Sequence, residues 1–192
     1  CLGVKLAGPE PGSPRPNYRR ASGPGADHFR IVGRRQDGGV ASTWLHDSVK
    51  EGDILQVANP AGDFFLNDAD SNPVVFLTAG VGLTPVISML GELAQARTAR
   101  HIHYIHGAET RALAAFVPQI DALAKSGLVK AYFSYSQEPA PAQDGTPGVT
   151  THAGRITPAW VLQTLNRTAT YYICGPDSFM RDMVEALKSA KL

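Results

Sequence analysis

Two cysteines in 192 residues, Cys1 and Cys174, are too few for a disulfide framework, and their spacing matches no zinc site. A surplus of one charge is missing too. Eighteen Lys and Arg against seventeen Asp and Glu leave a formal +1, which argues against a general nucleic-acid surface. Long apolar runs are absent. The longest, such as Val74–Ala79, are of strand length, so no membrane span is expected. No basic segment followed by an apolar one opens the chain, so no secretory leader is expected and a cytoplasmic location is. Neither a G-x-S-x-G elbow nor a GxxxxGK[ST] loop occurs, which removes serine-hydrolase and P-loop chemistry. What is present is 43% hydrophobic and 18% charged residues, enough core for one large domain or two small ones.

Charge is unevenly placed. Residues 1–36 carry seven basic residues against two acidic ones, so residues 37–192 hold four more acidic than basic. Clustered arginines suit phosphates, but they also keep a surface wet, and both readings stay open. This stretch is rich in Pro, Gly and Ser around two strand-like runs, Leu2–Leu6 and His28–Gly33, as expected of an antiparallel sheet or barrel. A short helix capped by Ser42 and running through Trp44, Leu45, Ser48 and Val49 should stop at Gly52, with a strand over Asp53–Ala58. Phe64–Leu66 is a further short apolar piece. Asn67–Pro73 is polar and turn-forming, and the domain boundary is expected there, giving 1–69 and 70–192.

Beyond it, strand and helix alternate. Strands are expected at Val74–Ala79, His101–His106, Leu128–Tyr135 and Tyr171–Cys174. Helices are expected after Gly80–Pro85 and over Leu113–Lys125, Pro158–Leu165 and Phe179–Lys188, with Gln137–Thr150 a surface loop. Parallel strands joined this way need crossovers, hence a doubly wound α/β sheet.

The chemistry concentrates after the first of these strands, in Gly80-Val81-Gly82-Leu83-Thr84-Pro85. Glycines let a backbone approach a pyrophosphate, and a helix N-terminus offers it free N–H groups and a positive dipole end. Thr84 can donate a hydroxyl to phosphate, and Pro85 suits the first helical position, where no donor is lost. A plain tight turn before a capped helix is the simpler alternative. Cys174-Gly175-Pro176 ends the last strand, at the carboxyl edge where ligands bind in such sheets, although a lone cysteine is more often a small buried hydrophobe. His101, His103 and His106 lack a third ligand at fixed spacing, so no metal site is expected.

Taken together, Gly39-x-x-Ser42, Leu45-His46-Asp47, Gly52-Asp53, Pro60-Ala61-Gly62-Asp63-Phe64-Phe65-Leu66, the GVGLTP run, His106-Gly107-Ala108 and Cys174-Gly175-Pro176 resemble the ferredoxin-NADP reductase superfamily. The resemblance covers nearly all of the chain and is closest to the reductase part of flavohemoglobins, which are nitric oxide dioxygenases. It implies a partial antiparallel flavin-binding barrel followed by a doubly wound NAD(P)-binding domain. It also implies electron flow from NAD(P)H through FAD to a haem acceptor, a globin domain in the same or another chain. Carried over, Gly80, Val81, Gly82, Leu83, Thr84 and Pro85 hold the dinucleotide pyrophosphate, and Cys174, Gly175 and Pro176 lie beside the nicotinamide, with Cys174 the catalytic position. Gly39 and Ser42 bind the FAD pyrophosphate, and Tyr18 packs on the isoalloxazine. Glu109 accepts from a ribose diol, favouring NADH, whereas Arg111 nearby suits a 2′-phosphate.

The family's Arg-x-Tyr-Ser motif is altered here to Pro16-Asn17-Tyr18-Arg19, which displaces the arginine for the flavin phosphate to Arg15 and leaves Arg19 or Arg20 as substitutes. The resemblance further implies that the barrel's first strands, a flavin-contacting tyrosine and the family's last strand lie outside this sequence. The alternative function is a dinucleotide-binding fragment that no longer holds FAD and has no turnover.

Overall fold

The computed structural model describes residues 2–5, 17–18, 21–22, 27–59, 61–67, 69–140, 145–165 and 168–192. Its centre is a run that water never reaches: Val74, Val75, Phe76 and Leu77 are all 0% exposed. A strand apolar on both faces must be covered on both faces, and here it is. The strand, Val74–Ala79 (β4), lies in a five-stranded parallel sheet with Ile102–Ala108 (β5), Val129–Tyr135 (β6), Val149–Ala153 (β7) and Thr170–Cys174 (β8). The spatial order is β7-β6-β5-β4-β8.

Side chains alternate across this sheet as the strand period requires. Val74, Phe76, Ile102, Tyr104, Phe133 and Tyr172 pack beneath Leu83–Gln95 (α2) and Val117–Lys125 (α3). Val75, Leu77 and Ile105 pack beneath Pro158–Leu165 (α4) and Asp177–Ser189 (α5) through Val161, Leu165, Met183 and Leu187. Each fully buried aliphatic or aromatic side chain contributes roughly 1.5–3 kcal/mol, so these two layers carry most of the stability.

Among the described residues, the first part of the chain forms a smaller antiparallel sheet. Leu2–Lys5 (β1) lies between Asn17–Tyr18 (β2) and Gln56–Val57 (β3), with Leu2 opposite Tyr18 and Val4 opposite Val57. A helix, Val40–Asp47 (α1), buries none of its residues. The chain then crosses to the large sheet over residues 61–73. Leu66 enters the first core, the Asn67 N–H donates to the Tyr172 hydroxyl at 3.0 Å, and Phe64 meets the Tyr172 ring edge-on at 5.9 Å. Below, at the amino ends of the strands, Asp70 accepts from Arg100 at 3.1 Å and from Thr170, and Arg100 donates to the Asn72 carbonyl at 2.6 Å.

Several expectations are corrected. His28–Gly33 is not a strand; only Ile31 makes an isolated bridge. The strand expected over Asp53–Ala58 shrinks to Gln56–Val57, with Ile54 93% exposed. Ser42 does not cap α1. Gly39 stands at the N-cap, and Ser42 lies inside the first turn, so the helix starts earlier and ends at Asp47. Nor does α3 begin at Leu113: residues 111–113 form a 3-10 turn, and Phe116 at φ 62° breaks the chain before Val117. The surface loop expected to reach Thr150 gives up its end to β7, an edge strand whose VTTHA sequence lacks apolar alternation. The four expected parallel strands and their helices otherwise stand within a residue or two of where the sequence predicts. Among the described residues no helix is long and apolar enough to cross a membrane.

Candidate functional site

The strand order places the site. From β4 the chain steps outward through β5, β6 and β7, then returns to lay β8 on β4's other side. The reversal opens a crevice at the carboxyl ends of β4 and β8, where ligands of such sheets bind. Thr78 pairs with Cys174 in register, so Gly80 and Gly175 leave the sheet side by side.

The two loops touch backbone to backbone. A Cβ on Gly82 would overlap the Cys174 carbonyl and stand 2.7 Å from the Gly175 nitrogen. A Cβ on Gly175 would stand 2.9 Å from the Phe179 ring and 3.2 Å from Ala79. Space alone requires glycine at Gly82, where the obstacle is backbone; at Gly175 the Phe179 ring would have to shift. Gly80 differs: it sits at φ +54° with nothing within 4 Å of a Cβ, a left-handed turn opening onto free space. Val81 beside it is 60% exposed. Then α2 begins at Leu83, with no side chain capping its first turn. Gly80–Gly82 form a 3-10 turn that leads into it, also without a capping side chain, so the dipole end and first N–H groups of this joined helical start lie at an open glycine, a cradle suited to a pyrophosphate.

From Leu83 onward the side chains of this run look inward. Leu83 and Thr84 are 3% and 4% exposed, and Thr84 donates to the Val81 carbonyl at 3.2 Å. The cradle is therefore backbone, and the Thr84 hydroxyl braces it rather than projecting from it. Pro85, at the third helical position, is buried and costs no intrahelical bond there. Cys174 ends β8 with its thiol buried at 4% exposure and its carbonyl on Gly82. Pro176 is exposed and caps α5, whose first turn carries Asp177.

A second cluster lies at the ends of β5 and β6. Glu109 is exposed and its carbonyl accepts from the Gln137 N–H at 2.9 Å. Glu138 accepts from the Arg111 N–H at 2.9 Å, and the Arg111 guanidinium faces Asp121 at 3.8 Å. Tyr135, 2% exposed, reaches this group; burial pushes its phenol up while the Arg111 charge works the other way.

In the smaller sheet, Tyr18 is half-buried with its ring on Gly33, whose Cβ would stand 2.9 Å from it. Burial pushes the Tyr18 phenol up. Nearby, Ala21 donates to the Arg30 carbonyl at 2.7 Å and the Ser22 carbonyl accepts from Ser88 of α2 at 2.8 Å. Four residues from Tyr18, the chain is thus tied to the helix that opens at the cradle. Gly39 is held close by its own turn. The Ser42 hydroxyl accepts from the Gln36 N–H at 3.0 Å and donates to the Gly39 carbonyl at 3.2 Å. Arg15 and Arg19 lie outside the described residues, as does Pro16.

The histidines do not converge. His101 is exposed, His103 stacks on Tyr132 at 6.0 Å, and His106 lies on the opposite face of β5. Among the described residues no group of three His, Cys, Asp or Glu could hold a metal. Sequence reasoning missed the Glu138 and Asp121 contacts to Arg111. It also missed Thr78, whose one visible signal is a hydroxyl inside an otherwise apolar strand.

A family model described as the oxidoreductase NAD-binding domain matches residues 76–185. A flavohemoprotein of Xylella fastidiosa is 38% identical over 182 residues, covering 94% of this chain and 44% of the relative. The chain thus spans under half the length of that curated relative. Among solved structures, the flavohem-like FAD/NAD-binding domain of nitric oxide dioxygenase from Vibrio cholerae superposes with a TM-score of 0.78 at 24% identity, covering 98% of this chain and 77% of that one. A ferredoxin NADP+ reductase from Neisseria gonorrhoeae with bound FAD and NADP gives 0.74 at 19% identity, covering 90% and 71%. The fold is that of the ferredoxin-NADP reductases.

Proposed function

Because this chain belongs to the oxidoreductase NAD-binding family, we propose that it is the electron-delivering part of a flavohemoprotein, taking electrons from NADH and passing them through FAD to a haem acceptor. The observation that carries the reading is the contact of Gly82 on Cys174 and Gly175, which sets an open glycine and an uncapped helix end at the switch point of the sheet. That cradle fits a dinucleotide: Gly80 leaves room where a side chain would intrude, and the α2 N–H groups meet the pyrophosphate charge. Cys174 and Gly175 border the place for the nicotinamide, and the buried Cys174 thiol excludes water beneath it.

FAD, when bound, accepts a hydride and releases electrons one at a time. Its place on this chain is beside Tyr18, whose half-buried ring offers a flat apolar surface tied through Ser22 to α2. Ser42 and Gly39 shape the turn before α1, so the FAD pyrophosphate would meet the backbone there, the hydroxyl being engaged within that turn. Residues 1–69 are the flavin part and 70–192 the nucleotide part, with the Asn67 N–H donating to the Tyr172 hydroxyl across the junction.

NADH is preferred over NADPH. Arg111, whose place suits a 2′-phosphate, already faces Asp121 and has its N–H held by Glu138. The Asp121 and Glu138 carboxylates repel a phosphate, and the exposed Glu109, two residues before Arg111, accepts from a ribose diol. The acceptor is a globin domain supplied by the remainder of a longer chain or by a partner.

The deciding experiment is visible absorbance of the purified chain with excess FAD. Bound flavin that bleaches with NADH supports the reading. A colourless protein that binds NADH would instead identify a nucleotide-binding piece without turnover, and one that binds neither would sink both.

A further inference from the structure

Beneath the cradle, one residue before the loops leave the sheet, two buried polar side chains face each other across β4 and β5. Thr78 and His106 are both 0% exposed, and the Thr78 Oγ1 lies 2.9 Å from His106 Nδ1. The same hydroxyl lies 3.1 Å from the Ile105 carbonyl, which can only accept. A hydroxyl has one hydrogen. Given to Ile105, it leaves Oγ1 as acceptor, so His106 Nδ1 must carry the imidazole proton and donate it. His106 Nε2 is then a bare lone pair, and it has no hydrogen-bond partner among the described residues.

The pair's neighbours are the parts of the cradle. Ala79, next to Thr78, is the residue that Gly175 packs on, and Gly80 follows it. Cys174 pairs with Thr78 on the other side in register. Gly107, next to His106, leads through Ala108 to Glu109, and a Cβ there would press on Ile156 at 2.9 Å. Tyr104 stacks on the imidazole at 6.0 Å and Phe133 meets it edge-on at 6.4 Å, and the buried Tyr104 hydroxyl lies by Thr78. Buried polar atoms are costly unless paired, so this pair resists any slip of β4 against β5 that would part them.

We propose that Thr78 and His106 are a positioning pair that fixes the carboxyl ends of β4 and β5 and so holds the Gly80–Gly82 backbone in its dinucleotide-binding shape, with His106 fixed as the Nδ1–H tautomer. The proposal rests on the dinucleotide reading above. It gives the buried hydroxyl and imidazole a task at the site although neither touches the ligand.

The test combines calorimetric titration with NAD+ and long-range proton–nitrogen NMR of the histidine ring. In the wild-type chain Nδ1 of His106 is protonated. Thr78→Val, which keeps the shape and removes the hydroxyl, weakens NAD+ binding about tenfold, the equivalent of one lost buried hydrogen bond. Thr78→Ser returns it to within about twofold. Should Thr78→Val not fold, His106→Asn, whose amide can donate in place of Nδ1, binds within about threefold of wild type, while His106→Leu loses about tenfold. A proton on Nε2 in the wild type, or folded Thr78→Val or His106→Leu with unchanged affinity, overturns the proposal and leaves the dinucleotide reading standing. A wild-type chain that binds no NAD+ overturns both.

Discussion

Replacing Gly82 with alanine places a methyl group against the backbone of the neighbouring loop. The new carbon would overlap the Cys174 carbonyl and stand 2.7 Å from the Gly175 nitrogen. Neither obstacle is the free end of a flexible side chain. Relief requires β4 and β8 to separate at their carboxyl ends, against a register of five paired residues between them. Overpacking of this kind costs typically 1–3 kcal/mol, and a rigid obstacle puts Gly82→Ala at the upper end, about 3 kcal/mol. Gly80→Ala is the control. There the space is open and the cost is that of a left-handed alanine, about 1 kcal/mol. Urea unfolding of the two variants beside the wild type measures both. The expected order is a large loss at Gly82 and a small one at Gly80, with NAD+ binding abolished in the first. Equal midpoints, or a larger loss at Gly80, would refute the backbone contact on which the cradle depends.

Three further outcomes are expected. Burial holds His106 at about 4, below the ordinary value of about 6.5, so the folded chain keeps it neutral while the unfolded chain takes up a proton. Its contribution is complete above about pH 6.5 and is lost as pH falls toward 4, up to about 3 kcal/mol; denaturation midpoints across this range should fall more steeply for wild type than for His106→Asn, and parallel slopes would disprove it. Tyr172→Phe removes the acceptor for the Asn67 N–H at 3.0 Å and should cost about 1 kcal/mol in the same assay. Glu138→Gln relieves the acidic surroundings of Arg111 and should raise the ratio of NADPH to NADH affinity about fivefold; no change in the ratio would remove Glu138 from the selection of the cofactor.

The large sheet was legible because its strands are apolar on both faces and its helices carry apolar stripes, patterns set by burial alone. Val74–Ala79 and Pro158–Leu165 are found at the predicted limits. β7 escaped because an edge strand half in water has no such pattern, and its Thr-Thr-His resembles loop. The helix expected from Leu113 failed at Phe116, whose left-handed turn no local residue preference announces. Around the smaller sheet, short runs such as Asp53–Ala58 read as strand from composition, yet only Gln56 and Val57 find partners among the described residues. GVGLTP was legible as a glycine turn opening a helix, but the direction of Thr84 was not. Whether a hydroxyl points out or closes its own turn depends on what covers it, and here it is buried.

The return of the chain to lay β8 against β4 also sets a timetable. β4, β5 and β6 are neighbours in sequence and can zip together as they emerge, whereas the ties that seat β8 join residues far apart: Thr170 to Asp70 across 100 positions and Tyr172 to Asn67 across 105. Closing such spans costs chain entropy before any contact repays it, so β8 docks late. The crevice between the two strands does not exist until then. On the proposed function, a nascent chain therefore gains affinity for dinucleotide only at the end of its folding. Ligand added to a refolding mixture should accordingly stabilise the finished product and leave the early steps unhurried.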